Sequence, residues 1–221
     1  MDEPVKPPRR YDTTRRQEQA RENRGRVLTA AGRLFLAKGY ADTAMPEIAK
    51  AAGVSVQMVY KAFANKATLL KAVFDVSVAG DDDPTPMAER DVIGAIRAEP
   101  DAARKIMLYM RHLARSAHRY APLQLLARDA ARADHTAAEV WAQMRQETLT
   151  AMTYFADDLI ATRQVRDGLS ADEVRDILWT YHSPELYELL VIERGWAADR
   201  YARFLGDATV RVLVSDVLPQ S

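Results

Sequence analysis

An all-α architecture in two parts, a small three-helix unit followed by a larger helical bundle, is what this sequence predicts. Three observations carry that expectation. Apolar residues recur at spacings of three and four along most of the 221 residues, which is the period of one helical face. No stretch alternates apolar and polar residues as a half-buried strand would. Glycine, asparagine and a Ser-Pro pair fall where helices should start or stop. Composition bounds the rest: 48% hydrophobic residues suffice for a real core, and without cysteine the chain has neither disulfides nor thiolate chemistry. No apolar run approaches the roughly 18–20 residues of a membrane span, so a soluble, cytoplasmic chain with no membrane partner is expected.

Residues 1–14 hold Pro4, Pro7, Pro8, Arg9 and Arg10 with little to bury, which predicts a flexible basic arm. From about Arg15 to Lys38 the pattern is helical, with Val27, Leu28, Ala31, Leu34 and Phe35 in one stripe and Arg21, Arg24 and Arg33 elsewhere on the surface. Gly39 ends that helix. Pro46 suits the first turn of the next one, where a missing N–H costs nothing.

Ile48 to Lys66, IAKAAGVSVQMVYKAFANK, organises the N-terminal part. Ile48, Ala49 and Ala52 form a small apolar face, and Gly53 supplies the left-handed residue that closes the helix. Ser55 is a natural N-cap for a second helix. Within that helix Val56, Val59 and Phe63 share one side, while Gln57, Tyr60 and Lys61 project from the other. An amide, a phenol and an ammonium on one exposed face offer a hydrogen-bonding group for base edges beside two phosphate partners, as a recognition helix in a DNA major groove requires. The same spacing also suits an ordinary amphipathic helical hairpin with a solvated polar face. Asn65 then caps a further helix bearing Leu69, Leu70, Val73 and Phe74.

Charge is split along the chain although its net value is zero. Residues 1–66 carry thirteen Lys/Arg against seven Asp/Glu, so the remainder carries the opposite excess. A basic head on an acidic body suits a chain whose first part meets a polyanion.

The run VLTAAGRLFLAKGYADTAMPEIAKAAGVSVQMVYKAFANKATLLKAVF resembles the N-terminal domain of the tetracycline-repressor (TetR) family of bacterial transcription regulators. Ala30, Ala31, Phe35, Gly39, Tyr40, Thr43, Ile48, Ala49, Ala52, Gly53, Val54, Ser55, Val59, Tyr60, Phe63, Lys66, Leu69 and Leu70 carry the resemblance. It implies a DNA-binding domain at 15–79 in which Tyr60 and Lys66 contact the phosphate backbone. It places Val56, Gln57, Met58 and Lys61 where bases are read or phosphates gripped, and adds Thr43 to the DNA-contacting set. Gln57 is the prime candidate for direct readout, since an amide pairs bidentately with adenine. Pro46 stands where some members place a basic reader and Ala44 where many place a Ser/Thr cap, so the first helix of the pair supports the reader instead of reading.

Gly80, Asp81, Asp82, Asp83, Pro84 and Pro86 predict a linker over 80–100. The aspartates lack a later ligand at the spacing of a calcium loop, so no metal is expected there. Helices are expected over Asp101–Arg119, Pro122–Ala133 and Thr136–Arg163. Others run from the Ser170–Glu173 capping box through Tyr181, from Ser183-Pro184 to Glu193, and over Ala197–Val217. The resemblance implies that this part, 101–221, is a ligand-binding and dimerisation bundle with an inducer pocket. Tyr109, His112, Trp141, Met144 and Phe155 are its expected wall, wide and adaptable side chains suited to a small apolar or aromatic effector. Tyr181, Leu186, Leu190, Tyr201, Leu205, Ala208 and Val212 are the expected surface of a twofold homodimer on a pseudo-palindromic double-stranded DNA operator.

Catalytic patterns are absent from the sequence. His112 and His118 are six apart, unlike a metal-binding pair on one helix face, and there is no phosphate loop or nucleophile elbow. No catalytic residue, metal or cofactor is expected. The reading is a ligand-responsive repressor; a DNA-binding regulator without an inducer and an all-α enzyme are the alternatives.

Overall fold

Helix α1 (Thr13–Lys38) opens the part of the chain that the computed structural model describes, residues 13–80 and 91–215. The expected basic arm falls outside it except for Thr13 and Thr14, which belong to the helix. The acidic and proline-rich run Asp81–Pro86 lies outside as well. Along α1, Val27, Leu28, Ala31 and Phe35 turn inward, and Phe35 is fully buried. Full burial of a side chain of that size contributes about 1.5–3 kcal/mol.

Helices α2 (Met45–Ala52), α3 (Val56–Phe63) and α4 (Lys66–Ala79) follow, each with the punctuation the sequence implies. Gly53 takes φ 65°, and its N–H and that of Val54 donate to the last carbonyls of α2. Ser55 accepts from Met58 N–H. Asn65 and Thr68 cap each other's backbone reciprocally at the start of α4. The residue between α3 and α4 carries strain. Ala64 sits at φ 56°, ψ −56°, a tight three-residue turn in which Asn65 N–H donates to the Phe63 carbonyl and which a Cβ makes costly. Replacing Ala64 with glycine is therefore expected to raise stability by about 1 kcal/mol, read as a higher urea midpoint at unchanged slope.

Two stretches differ from the sequence expectation. Inside the expected linker, Asp91–Ala98 form helix α5, whose Ile96 is buried against the body. The two helices expected on either side of Pro122 are one, α6 (Ala102–Ala130). Proline removes one backbone donor, but buried Tyr120, Ala121, Leu123, Leu125 and Ala127 flank it, and their packing holds the axis through the gap.

The remaining elements are α7 (His135–Ala161), α8 (Ala171–Tyr181), α9 (Pro184–Tyr187) with a π-helical continuation over Glu188–Glu193, and α10 (Ala198–Leu213). Helix α7 packs against α6, α8 and α4, and α10 lies along α6. Among the described residues the only strand-like pairing is a single antiparallel bridge between Val165 and Val214. Arg128 of α6 grips both carboxylate oxygens of Glu188 at 2.9 and 3.2 Å, fixing the π-helical segment to the body. No helix of the described residues is long and apolar enough to cross a membrane.

Helix α10 corrects part of the expected dimer surface. Tyr201 and Leu205 are buried within their own chain, because α10 turns that face onto α6. The apolar side chains left in solvent at this end are Leu189, Ile192, Phe204 and Val212.

Candidate nucleic-acid interface and effector cavity

Helix α3 presents two distinct faces. Val59 and Phe63 are buried, and Val56 packs half-buried beside them, so the helix is held from behind. Gln57, Met58, Tyr60 and Lys61 are exposed, with Tyr60 at 48%. A phenol that far out of the core serves no packing purpose. From α1, Arg24 lies 4.6 Å over the Phe63 ring, while Arg26 donates to the Ala52 and Gly53 carbonyls and clamps the turn.

Two residues expected at the DNA surface are engaged elsewhere. Thr43 is 1% exposed; its hydroxyl donates to Gly39 O at 2.7 Å and lies within reach of Leu34 O, so it locks the turn after α1 and its side chain is closed to a ligand. Lys66 points inward too. Its ammonium donates to Tyr40 O at 2.7 Å and to Ala41 O at 3.3 Å, and rests 4.2 Å from the Tyr40 ring centroid. In this conformation it braces α4 against the turn; a phosphate contact would require it to leave those carbonyls.

A cavity of about 670 Å³ lies between α4, α5, α6 and α7, with His182 after α8 in its wall. That is the size of a site for a drug-sized molecule. Tyr109, His112, Met144 and Phe155 line it. The Tyr109 and Phe155 rings are 4.5 Å apart. Trp141 does not line it. It borders a smaller cavity of about 270 Å³ with Trp179 and Arg145, whose guanidinium carbon is 4.7 Å from the Trp179 ring. Gln124, Thr148 and His182 belong to the walls of both.

Charges gather at one side of the large cavity. Lys71 bridges Asp75 at 2.6 Å and Glu147 at 2.9 Å, joining α4 to α7. Lys105, nearly buried, donates to Asp158 at 2.9 Å and to Arg97 O at 3.1 Å. Arg24, on the surface of α1 as the pattern indicates, borders the wall as well. Lying over Phe63, it also links α3 to the cavity wall. Among the described residues no group of three or more His, Asp or Glu side chains is placed to hold a metal ion.

Burial lowers the His182 pKa to about 4 from an ordinary 6.5, and His112 shifts downward for the same reason, assisted by Arg119. Both are neutral at pH 7. Because the folded His182 resists protonation while the unfolded one does not, its contribution to stability is intact above pH 6.5 and is lost as pH falls toward 4. Stability is expected to drop by about 2 kcal/mol over that window, and His182→Gln should flatten the slope in urea titrations at pH 7, 5.5 and 4.5.

Comparison with known proteins agrees with this geometry. Residues 27–73 match the family model described as bacterial regulatory proteins, tetR family. The HTH-type transcriptional regulator TtgR of Pseudomonas putida is 41% identical over 61 residues, 28% of this chain and 29% of that protein. The curated relatives thus align over less than a third of their own length. Solved structures extend the likeness in fold. NalD of Pseudomonas aeruginosa, the secondary repressor of the MexAB-OprM multidrug efflux pump, superposes with a TM-score of 0.69 at 20% identity, covering 89% of this chain and 99% of that one. FadR of Bacillus subtilis, solved with stearoyl-CoA, gives 0.69 at 18% identity over 85% and 98%. The helix-turn-helix segment thus matches the tetR family of bacterial regulatory proteins, and the whole helical body is similar in fold to NalD and FadR.

Proposed function

We propose that the protein is a homodimeric, sequence-specific DNA-binding repressor of transcription, acting in the cytoplasm and released from its operator when an apolar small molecule fills the cavity between α4 and α7. The observation that carries the reading is the outward set Gln57, Met58, Tyr60 and Lys61 on a helix anchored by Val59 and Phe63. Tyr60 and Lys61 are positioned to grip phosphates, and Gln57 to read a base edge. Leu189, Ile192, Phe204 and Val212 supply apolar surface for a second copy, and a twofold axis there would set two α3 helices on successive major grooves. NalD, a repressor, and FadR, solved with stearoyl-CoA, support repression and ligand response. A regulator without an inducer would have no use for a 670 Å³ cavity beside its reading head, and an enzyme would need a nucleophile and base converging there.

Selection of bound fragments from randomised duplex DNA tests the proposal. Enrichment of a pseudo-palindrome with half-sites about one helical turn apart is the expected result. Recovery of no shared sequence, or sedimentation as a monomer at micromolar concentration, would overturn it.

A further inference from the structure

The large cavity combines mostly apolar walls with one unpartnered acceptor. Along α6 its wall runs from Tyr109 to Gln124, an axial span of about 22 Å at 1.5 Å per residue, so the space is long and narrow. Near the Tyr109 end lies the charged pair Lys105–Asp158, while Lys71 with Asp75 and Glu147 borders the wall further along, next to Phe74 and Thr148. Gln124 is 4% exposed and shares this wall with Tyr120, Met144, Thr148 and neutral His182, whose ring lies 6.3 Å from that of Tyr109. Gln124 Oε1 is the only buried side-chain nitrogen or oxygen among the described residues that has no hydrogen-bond partner. Leaving a buried acceptor unpaired costs as much as a typical hydrogen bond is worth or more, and a leucine of similar volume would carry no such cost. Such an atom is explained when something absent from the free protein completes it.

We infer that the effector of this cavity is a neutral, elongated, largely apolar molecule whose terminal hydroxyl or amide N–H donates to Gln124 Oε1, making Gln124 the residue that selects hydrogen-bond donors over isosteric ethers. The inference rests on the effector reading above. The apolar walls supplied by Phe74, Leu113, Met152 and Phe155 accept the body of the molecule. A carboxylate at the Gln124 end is disfavoured, since it would face an acceptor and a neutral imidazole in a poorly solvated site.

A matched pair tests it: 4-hydroxybiphenyl and 4-methoxybiphenyl, measured by displacement of the neutral dye Nile red from the full chain. The hydroxyl compound is expected to bind at least about tenfold more tightly than the ether, the size of an unmet buried hydrogen bond. In Gln124→Leu the ratio is expected to fall to about one while the melting temperature of the free protein rises. Equal affinity for the pair in the unaltered chain, or a ratio that survives in Gln124→Leu, overturns the donor assignment while Nile red binding keeps the cavity reading. Failure of Nile red and both compounds to bind removes the two together.

Discussion

Tyr60→Ala combined with Lys61→Gln is expected to weaken operator binding by about a hundredfold or more, with the fold intact. Both side chains are exposed on α3, and neither takes part in an intramolecular hydrogen bond or ion pair among the described residues. Their removal therefore has little to cost in stability. Each lost phosphate contact releases fewer counterions, and a dimer loses each contact twice. The slope of log affinity against log salt should fall by about two for the lysine alone. Gln57→Ala should behave differently, leaving the salt slope unchanged and relaxing preference at one base pair of each half-site. Fluorescence anisotropy on the selected operator at several salt concentrations separates the two. Unchanged affinity and slope in the folded double variant would mean that another surface meets the DNA.

Much of this was legible because the helix-turn-helix is short-range. Gly53, Ser55 and Asn65 cap through neighbours within a few residues, and Val59 and Phe63 share a face by spacing alone, so sequence period and local capping decide the geometry. The bonds that engage Thr43 and Lys66 were not legible: Thr43 turns back onto Gly39 O within its own turn, and Lys66 reaches Tyr40 O and Ala41 O, about 25 residues earlier. A threonine hydroxyl or a lysine stem looks the same in sequence whether it meets water or a carbonyl. Helix α5 is short, contains Gly94 and buries one large side chain, so the body against which Ile96 packs decides its form. Trp141 is on the same face of α7 as Thr148, seven residues on, but lines only the smaller cavity. Its face was readable and its height along the axis was not. Tyr201 and Leu205 show the remaining ambiguity: an apolar stripe on α10 reads alike whether α6 or a second chain covers it.

Tyr40→Phe combined with Lys71→Gln is expected to disconnect the cavity from the reading head. Polar ties among the described residues join α1–α4 to α7. The Tyr40 hydroxyl donates to Asp134 Oδ2 at 2.9 Å, at the residue that caps α7, and Lys71 of α4 holds Glu147 of α7 at 2.9 Å. Burial and the neighbouring Asp134 hold the Tyr40 pKa far above its usual value, so the phenol is a donor at any working pH. A molecule entering between α4 and α7 must act on these ties, and Asp75, shared by Lys71, is in the cavity wall itself. Effector binding should lower operator affinity of the unaltered protein by about 5–150-fold, the usual range of such coupling. In the double variant that ratio should fall to about threefold or less, with operator affinity in the absence of effector within about threefold of the original. Phenylalanine preserves the buried ring beside Phe35, and Asp134 keeps its bond from Ala137 N–H, so each substitution removes a tie without unmaking a core. Linkage supplies an independent check, because saturating operator must then weaken effector binding by the same reduced factor. An undiminished ratio in both directions would place the coupling in the apolar packing of α4 on α6, where Phe74 meets Tyr120 edge-on at 6.3 Å, and Phe74→Leu would become the substitution that breaks it.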